Sequence, residues 1–236
     1  MLFAVLLAFA ACKKDNRNYT VDYKYNYYPL DSGHYIIYNV DSVTFYYDGI
    51  NYNRDTVRYQ LMALFDDTIH DLLDSVNFTI KYLTRPDENS PWSAPYITYC
   101  LRTKTNLQVI ENDIRFIKLV YPPSLNLAWN GNLFVPTTGV YSTFLNWNYY
   151  YENADTTIQI NGQTYNNALV ASEVNSVNAL TKEVRTEVYA PNVGLIYEEW
   201  ESLNKYSGTM GNITLGWDTG AGSGFSIHKW AIAHYP

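Results

Sequence analysis

Apolar and polar residues alternate along most of this chain, and this alternation constrains the fold more than any other feature. From Asp31 onward it continues in runs of about six to twelve residues, each of which ends at turn-forming residues. Successive side chains of a β-strand point to opposite faces, so the alternation indicates strands with one buried face. Helical spacing of apolar residues is nearly absent. The sequence therefore predicts an all-β fold over residues 31–236.

The links between the predicted strands are short, which indicates an antiparallel meander. The clearest hairpin joins Ile158–Ile160 to a strand that contains Tyr165, because Asn161-Gly162 supplies the two positive-φ residues of a type I′ turn. Residues 140–147 are also predicted as a strand. A sheet of about ten or more long strands must curl. We therefore expect a barrel, a half-barrel or a strongly bent sheet, with a β-sandwich as the alternative.

The composition excludes several classes of protein. The chain has 236 residues, of which 47% are hydrophobic and 17% charged, which is typical of one globular domain. Its formal net charge of −7 argues against nucleic-acid binding, which needs a cationic surface. Two cysteines, Cys12 and Cys100, are too few for a disulfide framework or a cysteine-built zinc site.

The N-terminus has the pattern of a bacterial lipoprotein signal. Residues 1–11 are wholly apolar, but about 20 residues are needed to span a bilayer as a helix, so we interpret them as a signal peptide. Ala10 and Ala11 precede Cys12, as in a lipobox, although Phe9 replaces the usual aliphatic residue and no basic residue precedes the apolar run. Cys12 is therefore predicted to be lipidated, and residues 12–30 to form a polar tether. An ordinary cysteine in a buried N-terminal segment is the alternative.

Several segments resemble the signature blocks of Bacteroidota envelope lipoproteins of unknown function. These segments are Tyr28–Tyr35, Glu111–Asn112, Arg115–Pro122, Trp129–Asn132 and Tyr189–Tyr197. The resemblance spans most of the chain and implies a lipid anchor in the outer membrane, on either its periplasmic or its outer face. It implies no catalytic residues.

The envelope location that the resemblance implies draws attention to a second pattern. Bacteroidota O-glycosylate exported proteins at Asp-Ser/Thr followed by certain small or apolar residues, and this pattern occurs five times, where composition predicts about one. A turn that leads into a strand has the same sequence pattern, so a structural explanation stays open. The candidate O-glycosylation sites are Ser42, Thr56, Thr68, Ser75 and Thr156.

Aromatic residues give the remaining indication of function. Large flat rings with polar tips suit stacking on sugars or closing over an apolar ligand, although on alternating strands most of them pack in the core or in cross-strand pairs. The ligand-binding candidates lie near predicted loops. They are Trp92, Trp147, Tyr149, Tyr150 and Tyr151.

No group of residues predicts a catalytic or metal site. Asp66–Asp71 surrounds His70 with carboxylates, Asp48–Asp55 offers oxygens, and His228 shares a strand face with His234, but a turn, an open loop or a strand end explains each of them. In Glu198–Glu201, Glu199 and Glu201 face one side of a strand, opposite Glu198 and Trp200. Cys100 is expected to be a buried structural cysteine.

The sequence thus predicts a lipid-anchored envelope lipoprotein with a non-catalytic binding or structural role and no cofactor. The alternative is a carrier or sensor that binds a glycan or an apolar ligand, and a glycan hydrolase is the third hypothesis. The expected partners are the membrane, through the anchor, and glycans or other envelope components, but not nucleic acid.

Overall fold

The computed structural model of the protein describes residues 20–70, 76–136, 138–205 and 215–235. In this part of the chain, twelve strands form one sheet, in which every neighbouring pair is antiparallel. The strands are β1 (Tyr35–Tyr47), β2 (Tyr52–His70), β3 (Val76–Arg85), β4 (Tyr96–Arg102), β5 (Asn106–Glu111), β6 (Ile114–Val120), β7 (Ala128–Trp129), β8 (Tyr149–Ile160), β9 (Gln163–Val177), β10 (Thr181–Ala190), β11 (Gly194–Asn204) and β12 (Ser223–Tyr235).

The strands follow one another as a meander. Consecutive strands are neighbours, except that β6 and β7 form the two edges while β1 pairs with β12. The sheet curls until it is nearly closed into a barrel, which confirms the predicted all-β meander. The alternative, a β-sandwich, is wrong for the described residues, because they form one sheet. The hairpin between β8 and β9 is also confirmed, because Asn161 and Gly162 have φ values of 49° and 79°.

Hydrogen bonds connect the two edges of the sheet. The indole Nε1 of Trp129 donates to the carbonyl of Ile117 over 2.8 Å. The hydroxyl of Tyr151 on β8 bridges to β6, where it donates to the carbonyl of Val120 at 2.7 Å and accepts from its amide at 2.9 Å. These contacts satisfy backbone groups that an open sheet edge would leave unpaired.

The segment before β1 closes one end of the barrel. The ring of Tyr28 packs against Phe65 of β2 and Tyr189 of β10, which lie far apart in the sheet, and the Tyr27 hydroxyl donates to the carbonyl of Asn167 at 2.7 Å. Tyr27, Tyr28 and Leu30 are all buried. The structure therefore places the end of the predicted 12–30 tether in the core, because these tyrosines cover apolar side chains of the barrel interior.

Helical structure is sparse in the described residues. Residues 25–27 and Gly139–Asn146 form 3₁₀ turns, so the strand predicted over residues 140–147 is wrong, and Trp217–Gly220 forms one α-helical turn. Among the described residues, none of the helices has the length and apolar character needed to cross a bilayer.

Candidate functional site

Three of the five aromatic residues proposed from the sequence as ligand contacts are core residues. Tyr149 and Tyr151 are fully buried and Trp147 is 8% exposed, so they offer no face to a ligand. Tyr151 helps to close the barrel, as described above, and the Tyr149 hydroxyl donates to the side-chain oxygen of Asn132 at 3.0 Å. The position of these residues near a predicted loop suggested an open face, but Trp129 packs against the rings of Tyr149 and Tyr151.

Trp92 and Tyr150 are half-buried. The guanidinium of Arg85 lies 4.3 Å from the centre of one Trp92 ring, which occupies part of that ring's face. Tyr150 pairs in register with Ser172 on β9. Neither residue lines the pocket described below, so the structure does not bring the five aromatic candidates together.

The candidate modification sites lie in different places. Thr56 and Thr68 are exposed, whereas Ser42 and Thr156 are half-buried, and Ser75 and Cys12 lie outside the described residues. The glycosylation and lipidation hypotheses therefore stay predictions. Cys100 is 1% exposed with a free thiol, and burial raises its pKa to about 12, as expected of an inert structural cysteine.

A group of charged side chains, named here the interior charge cluster, lies inside the barrel. Lys118 on β6 contacts carboxylates on β9 and β10, which are at the other end of the strand order, so these ion pairs cross the barrel interior. Lys118 is 3% exposed. The members are Glu111, Lys118, Glu173, Arg185, Glu187, Glu198 and Lys229.

Two cations hold most of this cluster together. The Lys118 ammonium lies 2.5 Å from Glu173 and 2.6 Å from Glu187. Arg185 reaches Glu198 at 2.7 Å and Glu111 at 2.9 Å through its Nη2. Because water is scarce here, each charge depends on its partners for solvation.

The carboxyl groups of the cluster differ in their pKa values. Burial raises the pKa of Glu173 to about 8, and the neighbouring carboxylates add to the increase while Arg185 and Lys118 oppose it. Burial also disfavours ionisation of Glu198 and Glu111. There the nearby cations prevail, Lys229 and Arg185 at Glu198 and Arg185 and Lys118 at Glu111, and the pKa of each carboxyl is lowered. Glu198 and Glu111 are therefore ionised at neutral pH, whereas Glu173 is largely protonated.

A pocket of about 430 Å³ opens onto one side of this cluster, and we refer to it as the mouth pocket. Its charged residues are Glu111, Arg185, Glu198 and Lys229. Its aromatic residues are Tyr59, Tyr82, Tyr96 and Trp200, and its other residues are Val40, Leu61, Thr84, Ser93, Ala94, Ile110, Asn112 and Ile227. The pocket thus combines flat rings with hydrogen-bond donors and acceptors.

Cross-strand pairing places these groups. A single row of the sheet, running across β1, β12, β11 and β10, carries four inward-facing side chains. In that order they are Val40, Lys229, Glu198 and Glu187. In a neighbouring row Arg185 pairs with Trp200, and its guanidinium lies 4.4 Å from the indole ring. Stacking on the indole ring therefore helps to orient the guanidinium in a part of the barrel that holds little water.

The sequence was compared with models of known protein families and with curated proteins, and neither comparison finds a match.

Proposed function

We propose that this protein is a lipid-anchored lipoprotein of the bacterial envelope that binds a saccharide, without cleaving it, in the mouth pocket. The observation that carries this proposal is that one cavity combines aromatic side chains with charged and hydrogen-bonding groups. Sugars present apolar ring faces that stack on aromatic side chains, and hydroxyl groups that need both donors and acceptors. A purely apolar ligand fits less well, because it would displace water from the charged groups of Glu111 and Lys229 and offer them no hydrogen bond in return.

The charge states in the pocket favour binding over hydrolysis. Glu111 and Glu198 both contact Nη2 of Arg185, so two carboxylates do lie close together. Hydrolysis of a glycoside needs one of the two to be a protonated general acid with a raised pKa. Both pKa values are instead lowered, and the carboxyl with the raised value, Glu173, is 1% exposed and does not line the pocket.

Replacing Tyr96 by alanine should weaken saccharide binding. Tyr96 lines the pocket but is 51% exposed, so its removal should leave the core intact. Loss of one stacking ring should weaken binding by about tenfold. Calorimetric titration with cellobiose, maltose, xylobiose and N,N′-diacetylchitobiose measures the affinity, and quenching of tryptophan fluorescence gives a second readout because Trp200 lines the pocket.

The matched control is Tyr235→Ala. Tyr235 is 59% exposed, pairs in register with Tyr35 on β1, and does not line the pocket. This variant should bind like the native protein. Saturable binding of palmitate with no binding of any of the four sugars would refute the saccharide ligand, and equal weakening in both variants would refute its location.

The lipid anchor is tested separately at Cys12. In a bacterial host that processes lipoproteins, radiolabelled palmitate should enter the native chain and should be absent from Cys12→Ser, which should leave the membrane fraction. Acyl chains stabilise membrane association by about 0.8 kcal/mol per buried methylene, so loss of the anchor should be almost complete. Unlabelled native protein in the cytosolic fraction would contradict the envelope assignment and leave the saccharide test unaffected.

A further inference from the structure

Two sequence features that seemed unrelated meet on the outer face of the barrel. Glu199 and Glu201 are two residues apart on β11, so they share a face, and Glu199 pairs directly with His228 on β12. The ring Nε2 of His228 lies 3.9 Å from a carboxylate oxygen of Glu199. One ligand atom from each of the three residues falls within 4.8 Å of the others.

Two of these three residues, Glu201 and His228, line a groove of about 730 Å³. Asp41 is also among its lining residues. Asp41 pairs in register with His228 from the opposite strand, β1, so the imidazole lies between two carboxylate-bearing strands. The groove is separate from the mouth pocket, because these side chains point away from the barrel interior.

Glu201 is the most buried of the three residues, at 7% exposed. The ammonium of Lys182 contacts its Oε2 and balances its charge. A buried carboxylate balanced by a single ammonium can gain from a second, stronger electrostatic partner.

We propose that Glu199, Glu201 and His228 form a binding site for a divalent transition-metal ion, with Zn²⁺ as the best match. One imidazole nitrogen and two carboxylate oxygens suit Zn²⁺, whereas Mg²⁺ and Ca²⁺ prefer oxygen ligands alone. Two ligands two residues apart on one strand, with a third on the neighbouring strand, occupy one side of an ion. The other side of the ion is left for water or another small ligand, which completes the coordination.

Lys182 serves as the internal counter-ion of this site. Its ammonium neutralises Glu201 when no metal is bound. A metal ion brings two positive charges to the same carboxylates, and the lysine then becomes a repulsive neighbour. The proposal therefore predicts opposite effects for substitution of a ligand and substitution of this lysine.

The test is calorimetric titration of the folded chain with ZnCl₂ at about pH 7.5, above the ordinary pKa of imidazole. The native protein should bind one Zn²⁺ per chain, and His228→Ala should weaken binding by about 100-fold or more. Lys182→Met should tighten binding by about fivefold. MgCl₂ should give no saturable binding.

His234→Ala is the matched control, because His234 lies on the same strand and is exposed. It should bind Zn²⁺ like the native protein. Thermal unfolding of each variant without metal shows that the fold is retained. Absence of saturable Zn²⁺ binding in the native protein, or retention of full affinity in His228→Ala, would overturn the proposal, whatever the outcome of the saccharide titrations.

Discussion

Lys118→Met should lower the free energy of unfolding by about 3–5 kcal/mol, the effect of removing one partner from a buried ion pair. The Lys118 ammonium is within 3.3 Å of carboxylate oxygens of Glu111, Glu173 and Glu187. Methionine matches its length and packs well, so the loss comes from the charge and not from a cavity. The carboxylates that remain lie in a barrel interior where water cannot replace the ammonium.

Urea unfolding followed by far-UV circular dichroism measures this change. Lys81→Met is the control, because the Lys81–Asp66 pair is formed by side chains that are 32% and 40% exposed, and its loss should cost less than about 1 kcal/mol. Adding Glu187→Gln to Lys118→Met should recover part of the stability, because it removes a carboxylate that contacts the Lys118 ammonium in the native protein. Equal effects of Lys118→Met and Lys81→Met would show that the interior charge cluster contributes no more than a surface ion pair.

The sequence predicted the parts of the fold that depend on local rules. Alternation placed Glu198 and Trp200 on the face opposite Glu199 and Glu201, and the register confirms this division. The Asn161-Gly162 turn followed from φ preferences alone. The number of strands predicted that the sheet curls. The contacts that close it are encoded by no local pattern: the hydrogen bond from Tyr151 to β6, for example, joins residues 31 positions apart.

The candidate site was much harder to predict. Lys118 stands between Ile117 and Leu119 in a short apolar strand, and Glu173 follows the buried run Ala168–Ser172. A charged residue inside an apolar strand was the available signal, and it indicates a buried ion pair. The partners of Lys118 cannot be deduced in the same way, since they come from β5, β9 and β10 and meet only when the sheet curls.

A related reason explains why the aromatic prediction was wrong for three of its five residues. Trp147, Tyr149 and Tyr151 stand close together in the sequence near a loop, which suggested an open face. In the structure, Trp129 on the neighbouring strand β7 packs against Tyr149 and Tyr151, with ring centroids 5.8 and 4.7 Å apart. The aromatic residues that do line the mouth pocket come from four different strands, so their proximity is a property of the fold and not of the sequence pattern.

A pH dependence of stability should arise from Glu173. The cluster holds four carboxyl groups and three cations, so a proton on Glu173 balances its charge. The pKa of Glu173 is about 8 in the folded protein, against an ordinary value of 4.5. In this interval the folded state holds a proton that the unfolded state has lost. The stability that this group contributes is therefore complete below about pH 4.5 and is lost as the pH rises through about 8.

The free energy of unfolding of the native protein should accordingly fall between about pH 7 and pH 9, while Glu173→Gln should show little change over the same interval. The interval avoids the lowered pKa values of Glu111 and Glu198, whose contributions are lost only in acid, and the raised values of the buried tyrosines, which act in stronger base. Urea unfolding of both proteins at several pH values measures the two slopes. Parallel slopes would assign the titration to another group and would mean that Glu173 is already ionised at neutral pH, leaving the cluster with an uncompensated negative charge.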